Sequence, residues 1–214
     1  MNERQQPQPR GPEQERHEAQ KHNGPDAEPT HEREEYPHPQ VWIGSLADYN
    51  NGILTGEWVD AAVDGEDLVA AARGILGRGH EPDAEEWAIF DYDGFGDWRP
   101  GQHELLELVA EVARGIAEHG PVFAAWADFT GADPEQLAQF NDAYLGHYDS
   151  AEDLARDVMG DLGIEADIDR AVPASLRPYV QIDYAQWAKD CFLDGDLYFA
   201  DDPEGGVWVF DQRP

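Results

Sequence analysis

The sequence predicts an α+β protein, an elongated chain of three small modules that follow a disordered N-terminal tail. Three observations lead to this prediction. The composition changes near residue 40, short alternating apolar runs mark both ends of the remaining chain, and a helical period replaces them in between. Apolar residues make up 41% of the 214 residues and aromatic residues 11%, which is enough to build a buried core.

Residues 1–39 form the predicted tail. They are mainly Gln, Glu, Pro, His and Arg, and aliphatic residues are almost absent before Val41. Such a segment buries too little apolar surface to offset the conformational entropy that ordering costs. We therefore expect it to be disordered.

Residues 40–100 are predicted to form an antiparallel sheet with one short helix. Strands are expected at 40–46 and 52–59, joined through an Asn-Asn-Gly turn, and a third strand is expected at 85–93. Acids open the segment 64–76 and a glycine follows it, which is typical of a helix.

Residues 101–146 are predicted to form a helical middle domain. An apolar stripe at helical spacing consists of Leu105, Leu108, Val109, Val112 and Ile116. Four glutamates occupy a neighbouring part of the circumference: Glu104, Glu107, Glu111 and Glu118. Further helices are expected at 122–129 and 134–145.

Residues 147–214 are predicted to form a second α+β domain, with a helix at 148–163, a helix at 184–193 and a hairpin at 196–210. Ser150 and Asp153 fit the S-x-x-D capping signature of the first helix. Four aspartates recur there at every fourth position: Asp149, Asp153, Asp157 and Asp161. Like charges at this spacing destabilise a helix by about 0.2–0.5 kcal/mol per pair. Either solvent screens the row, or the row serves a partner.

The charge is the most unusual property of the chain. Asp and Glu number 46 against 14 Lys and Arg, which gives a net charge of −32. Nine of these acids and five of the bases lie in residues 1–39, so residues 40–214 carry a net charge of −28. A folded body this negative repels DNA and anionic membranes and attracts a strongly basic partner. We expect neither nucleic acid nor membrane as a partner.

The number of cysteines and the lengths of the apolar runs help to predict the cellular location of the protein. Cys191 is the only cysteine, which excludes an intramolecular disulfide and a zinc cluster of thiolates. No apolar run approaches the length of a membrane span, and the N-terminus is polar and rich in proline. We expect a soluble cytoplasmic protein with Cys191 as a small buried apolar residue.

The segment DYDGFGDW, residues 91–98, resembles the start of a calcium-binding loop. An EF-hand loop requires an oxygen ligand at position 5 and a glutamate at position 12, but counting from Asp91 these positions hold Phe95 and Gln102. We interpret the segment as a strand end followed by a turn, and we expect no metal.

Strand alternation then places Asp91 and Asp93 on one face of the sheet, with Phe90 and Tyr92 on the other. The aromatic residues that follow, Phe95 and Trp98, are expected to anchor the link into the helical middle.

The remaining motifs predict neither catalysis nor a cofactor. The histidines form no H-E-x-x-H pair, none of the three serines lies in G-x-S-x-G, and the glycines match no nucleotide-binding loop. An acid/base pair of the glycosidase type stays open among so many carboxylates, although no pattern points to one. We expect a protein that is not an enzyme.

The net charge of residues 40–214 can be compared with that of DNA. Duplex DNA carries one negative charge per about 1.7 Å of its axis, so 28 charges correspond to roughly 48 Å of duplex, and a symmetric dimer to roughly 95 Å. An acidic rod of this kind can compete for a DNA-binding groove.

Six segments, in this order, resemble the ArdA antirestriction proteins, and they span essentially all of residues 40–214. They are VWIGSLADYNNGILTGEWVD (41–60), EEWAIFDYDGF (85–95), LLELVAEVARGI (105–116), FNDAYLGHYDSAEDLARDV (140–158), IDYAQWAKDC (182–191) and GGVWVF (205–210). The resemblance implies a three-domain homodimer that mimics bent B-form DNA. It also implies that this homodimer blocks the DNA-binding groove of type I restriction-modification enzymes, without cofactor or turnover.

The residues expected to meet such a partner are the two acidic rows and the acids of the 91–98 segment: Glu104, Glu107, Glu111, Glu118, Asp149, Asp153, Asp157, Asp161, Asp91 and Asp93. A dimer contact is expected at an aromatic cluster between the second and third modules, although a place in the domain core explains it equally well. The cluster comprises Phe140, Tyr144, Leu145 and Tyr148.

Two alternative functions stay open at this point. An ordinary protein of a halophile also has many acids and few lysines, for solubility in high salt. An acidic module can equally bind another basic DNA-binding protein, such as a nucleoid protein or a repressor.

Overall fold

The computed structural model describes residue 36, residues 38–81 and residues 83–213. The predicted disordered tail, residues 1–39, therefore lies almost entirely outside the described residues. The described part is α+β, as the sequence predicts, with two three-stranded antiparallel sheets and intervening helices.

The first sheet consists of β1 (Gln40–Ser45), β2 (Gly56–Asp60) and β3 (Trp87–Asp93), with β1 in the middle. Its inner face carries the fully buried Val41 and Ile43 of β1. A short helix, α1 (Leu46–Asn50), follows β1, and the predicted Asn-Asn-Gly turn comes directly after it, at Asn51 and Gly52. The Ser45 hydroxyl caps this helix by accepting a hydrogen bond from the Asp48 amide at 3.2 Å.

A β-bulge in β3 corrects the predicted placement of Phe90. Trp42 pairs with Asp91 but Ile43 pairs with Ile89, so Phe90 is the extra residue between them. The Phe90 ring contacts Trp42 on the outer face, with ring centroids 5.5 Å apart. The extra residue thus puts Phe90 and Asp91 on the same face, where strict alternation would separate them.

Three longer helices follow: α2 (Gly65–Leu76), α3 (Leu106–His119) and α4 (Pro121–Thr130). Helix α2 packs on β1 and β2, α3 packs on α2, and α4 packs on α3. The apolar stripe of α3 differs from the predicted one at its start. Leu105 precedes the helix and is 69% exposed, whereas Leu106 is buried. Because α3 begins one residue later than the period suggests, its first apolar contact is Leu106.

The predicted single helix at 134–145 is wrong. The segment contains two single-turn helices, α5 (Pro134–Leu137) and α6 (Phe140–Ala143), and then strand β4 (Tyr144–Tyr148). The strand contains Gly146 at φ +133°, a conformation that side chains with a Cβ rarely adopt. Tyrosine is enriched in strands, and glycine is unfavourable in a helix interior.

The second sheet has the strand order β4, β6, β5. The remaining helices lie between β4 and β5 along the chain. Its other strands and these helices are α7 (Ala151–Asp161), α8 (Ile164–Ala171), α9 (Tyr184–Leu193), β5 (Leu197–Asp201) and β6 (Val207–Asp211). The predicted hairpin 196–210 is confirmed as the β5–β6 pair. Helix α8, which has no buried residue, is not predicted by the sequence pattern.

One connected hydrophobic core runs from the first sheet to the second. Val41 of β1 and Phe210 of β6 belong to the same buried cluster, and the expected anchors Phe95 and Trp98 lie in it. Trp126 of α4 stacks on Phe210, with ring centroids 5.1 Å apart. The division into domains 40–100, 101–146 and 147–214 remains a prediction.

Candidate protein-interaction surface

Some acids of this chain belong to the fold itself, and Asp48 is the clearest example. Its side chain is fully buried and accepts hydrogen bonds from the backbone amides of His80 and Glu81, both at 3.0 Å. The Thr55 hydroxyl, followed by these amides, holds the pKa of the Asp48 carboxyl below its ordinary value, although burial opposes this shift. Asp48 fastens the 78–81 loop to α1 and is not available to a partner.

Asp153, a member of the predicted aspartate row, is also tied to its own helix. The Ser150 hydroxyl donates to Asp153 at 2.6 Å, and the Asp153 amide donates back to the same hydroxyl at 3.2 Å. Arg156 donates to the other carboxylate oxygen at 2.5 Å. The Ser150 hydroxyl first, and then Arg156, lowers the pKa of Asp153. The predicted cap at Ser150 is confirmed. The contacts with Ser150 and Arg156 largely compensate the negative charge of Asp153.

The other aspartates of this row are free of such contacts among the described residues. Asp149 lies just before α7, whereas Asp157 and Asp161 lie on its surface, and all three are exposed. The row of four therefore contains three solvent-facing carboxylates and one, Asp153, that is bound by Ser150 and Arg156.

The glutamate row of α3 is likewise shorter than predicted. Glu104 precedes the helix, and its carboxylate accepts a hydrogen bond from the Gly101 amide at 3.4 Å. Glu107, Glu111 and Glu118 lie in α3, and at 100° per residue they fall within about 40° of one another. Glu107 and Glu118 are exposed and Glu111 is half-buried.

Arg114 interrupts this row and was missed by sequence reasoning, although its spacing places it there. It lies seven residues after Glu107, so it shares the same face of α3. Its guanidinium donates to the Val63 carbonyl at 2.6 Å and lies 3.7 Å from the Asp64 carboxylate. The α3 face thus presents three glutamates around one arginine that is held by the start of α2.

Asp91 and Asp93 share the outer face of the first sheet, as predicted. Both are exposed, and they lie opposite Trp42 and Gln40 of β1, respectively. Together with Trp58 of β2 they border an open depression of about 320 Å³.

A third group of acids was missed because its members come from distant parts of the sequence. Burial first, and then the charges of Asp128, Asp97 and Asp201, raises the pKa of Tyr198. All three aspartates are exposed: Asp97 follows β3, Asp128 lies in the last turn of α4 and Asp201 ends β5. Only the packing of the second sheet against α4 brings them near one side chain.

The aromatic cluster proposed for a dimer contact lies mainly in the core. Phe140 is 4% exposed, and its ring centroid lies 5.0 Å from Phe123 and 5.6 Å from Tyr144. Leu145, which is 45% exposed, and the half-buried Tyr148 lie on β4 at the edge of the second sheet. The structure therefore places Phe140 in the core, one of the two locations that the sequence left open. A dimer contact at β4 remains a prediction.

In residues 38–81 and 83–213, no three His, Cys, Asp or Glu side chains are grouped so that they could hold a metal ion. Cys191 is half-buried rather than fully buried, and burial together with Asp196 and Asp190 raises the pKa of its thiol. No helix among these residues is long and apolar enough to cross a membrane.

Comparison with known proteins identifies the family. A search of curated proteins returned no significant match. The family model described as antirestriction protein (ArdA) matches residues 41–204, which is most of the chain and nearly all of its described part. This family comprises antirestriction proteins rather than known enzymes. The match, the α+β fold and the acidic surfaces agree, and the chain belongs to the ArdA antirestriction protein family.

Proposed function

We propose that this protein inhibits type I restriction-modification enzymes by presenting surface carboxylates in place of DNA phosphates. Family membership supports an antirestriction role. The proposal of DNA mimicry depends on the observation that the acids are of two kinds. Some, such as Asp48 and Asp153, form hydrogen bonds within the fold. Others form rows that face solvent on α3, α7 and β3.

The solvent-facing rows have the chemistry that a DNA-binding groove selects. Lysine and arginine side chains in such a groove pair with phosphate oxygens, and carboxylate oxygens accept the same charge-assisted hydrogen bonds. Because exposed ion pairs contribute little individually, the binding energy is distributed over many acids. Inhibition is therefore competitive, nothing is turned over, and affinity falls steeply with salt as counterions are released on binding.

The protein acts as a homodimer, with the exposed Leu145 and the half-buried Tyr148 of β4 near the contact. The partner surface on the enzyme is its DNA-binding methyltransferase and specificity core.

The test is competition for DNA. A purified type I methyltransferase core is bound to its labelled cognate duplex, and the protein is added at several salt concentrations. We expect displacement at low salt that weakens steeply as salt rises. No displacement at low salt contradicts the proposal. Equal displacement from an unrelated basic DNA-binding protein assigns the acidic surface to a broader set of partners.

Variants separate shaped mimicry from net charge. Replacing Glu107, Glu111 and Glu118 with Gln should weaken displacement about three- to hundredfold, whereas Asp157→Asn alone should cost at most about fivefold. A matched control, Glu66→Gln with Asp67→Asn and Asp83→Asn, removes the same charge from exposed positions outside the rows. A single substitution that abolishes inhibition in a folded protein overturns the distributed model. An equal effect of the control set shows that net charge alone acts.

A further inference from the structure

The outer face of the first sheet carries an aromatic surface beside its carboxylates. Trp58 of β2 lies directly opposite Trp42 of β1, which lies directly opposite Asp91 of β3. Directly opposed residues of antiparallel strands project from the same face. The Trp58 side chain is 47% exposed, so a large indole surface meets solvent next to acids.

The fold holds this aromatic surface in place. A Cβ at Gly56 would lie 2.3 Å from the Trp42 ring, and one at Gly44 would lie 2.7 Å from it. The two glycines therefore make room for the Trp42 indole to lie against the sheet. The bulged Phe90 packs edge-on against Trp42, with ring centroids 5.5 Å apart, and contacts Tyr49 at 4.7 Å. Trp58 thus lies beside three aromatic side chains, Trp42, Phe90 and Tyr49, that are held in place by packing.

Acceptor groups line the same depression as Trp58. Its walls are Gln40, Trp58, Asp91, Tyr92 and Asp93, and its volume of about 320 Å³ exceeds what one side-chain head group needs. The Asp91 carboxylate accepts a hydrogen bond from the adjacent Tyr92 amide at 2.9 Å, which helps to fix its orientation. Among the described residues, no basic side chain forms an ion pair with Asp91 or Asp93.

We propose that Trp58, Asp91 and Asp93 form a binding site for an arginine side chain of a protein partner. The guanidinium plane stacks on the exposed Trp58 indole while its N–H groups donate to the two carboxylates. Charge complementarity selects a cation, since residues 40–214 carry a net charge of −28. The aromatic wall selects arginine over lysine, because a planar, weakly hydrated guanidinium stacks on indole better than a compact ammonium does.

The site differs in kind from the acidic rows of α3 and α7. A carboxylate row binds any cation and loses its hold as salt rises, whereas stacking on Trp58 is insensitive to counterions. The inference rests on the proposed function only for the source of the arginine, which would come from the DNA-binding groove of the target enzyme.

The test uses two peptides of equal charge, Ac-Gly-Arg-Gly-Arg-Gly-NH2 and Ac-Gly-Lys-Gly-Lys-Gly-NH2, titrated into the full chain at several salt concentrations. We expect the arginine peptide to bind about two- to fivefold tighter. It should also shift the Trp58 indole N–H resonance, which is assigned by its loss in Trp58→Leu. Trp58→Leu should remove the preference without changing the salt slope, and Trp58→Phe should retain part of it.

Controls keep the outcome specific to this site. Tyr179→Ala removes an aromatic side chain that is 83% exposed elsewhere, and it should leave the arginine preference intact. Asp91→Asn with Asp93→Asn should weaken both peptides and lower the salt slope. An unchanged preference in Trp58→Leu, or a Trp58 resonance that does not move, overturns the inference. Failure of the wild-type protein to displace DNA from a type I enzyme would instead overturn the proposed function, and the peptide result would stand.

Discussion

The two halves of the described chain hold their helices in different ways. In residues 38–143, α2 buries an apolar face against the first sheet and α3, and α3 buries one against α2 and α4. In residues 144–213, α7 buries only Leu154 and Ala155, and α8 buries nothing.

In the C-terminal half, polar contacts between neighbouring residues supplement the small buried face of α7 and the half-buried residues of α8. Arg156 pairs with Asp153, Arg170 with Asp167 at 2.6 Å, and Arg177 with Asp169. Tyr184 donates to Glu165 at 2.6 Å and lies beneath the Arg156 guanidinium. Exposed ion pairs contribute at most about 1 kcal/mol each, so this half should be the weaker one. An acidic protein can therefore use its few arginines to form local ion pairs rather than to add positive charge to its surface.

The largest expected effect comes from the residue that joins the halves. Trp126→Ala removes an indole that stacks on Phe210 and donates to the Gln136 carbonyl at 2.9 Å. We expect a loss of about 3–5 kcal/mol, and hence a fall in melting temperature of about 6–20 °C, measured by circular dichroism. The exposed Trp58→Ala is the control and should cost much less. Equal losses in the two variants would show that Trp126 does not connect the halves.

A smaller and pH-dependent effect is expected in the N-terminal half alone. Asp48→Asn leaves the amides of the 80–81 segment with a weaker acceptor and should lower the melting temperature at neutral pH, whereas the exposed Asp83→Asn should not. Because folding lowers the pKa of Asp48, its contribution is present above the unfolded value of 3.8 and is lost as pH falls through the folded value. The stability of the Asp48→Asn variant should therefore approach that of the wild type as pH falls below 3.8, and the two should meet once Asp48 is protonated in the folded protein. A gap that persists in acid would contradict an ionised Asp48.

The smallest effect is expected at the cap of α7. Ser150→Ala removes the hydroxyl that bonds the Asp153 amide and carboxylate and should cost about 1 kcal/mol. The exposed Ser175→Ala is the matched control, since this side chain lies in a turn. Hydrogen exchange should quicken in α7 and leave α3 unchanged. Faster exchange throughout the chain would mean that the two halves open together.

Much of this fold could be predicted from the sequence, because period and cap chemistry are local properties. The Ser150 cap, the hairpin and the strands of the first sheet all follow from a few adjacent residues. The same locality explains the failures. Nothing within the segment 134–145 reveals that Tyr144 starts a strand, because β4 exists only by pairing with β6, some sixty residues later.

The candidate surface was predicted less completely, for related reasons. Spacing identifies which acids share a helix face, but it does not reveal that Asp153 is held by Ser150 and Arg156. The acids around Tyr198 come from three elements, and only tertiary packing brings them together. Of the features that sequence reasoning missed, only Arg114 could have been found from helical spacing, because it lies seven residues after Glu107.

The extra residue at Phe90 bears on how relatives are to be aligned. A homologue without the bulge would carry its equivalent of Asp91 one position earlier, opposite the same Trp42. An alignment without a gap would then pair this carboxylate with Phe90 and record a substitution where the surface has not changed. Conservation on β3 should therefore be scored by strand pairing with β1, with the insertion placed between the partners of Trp42 and Ile43.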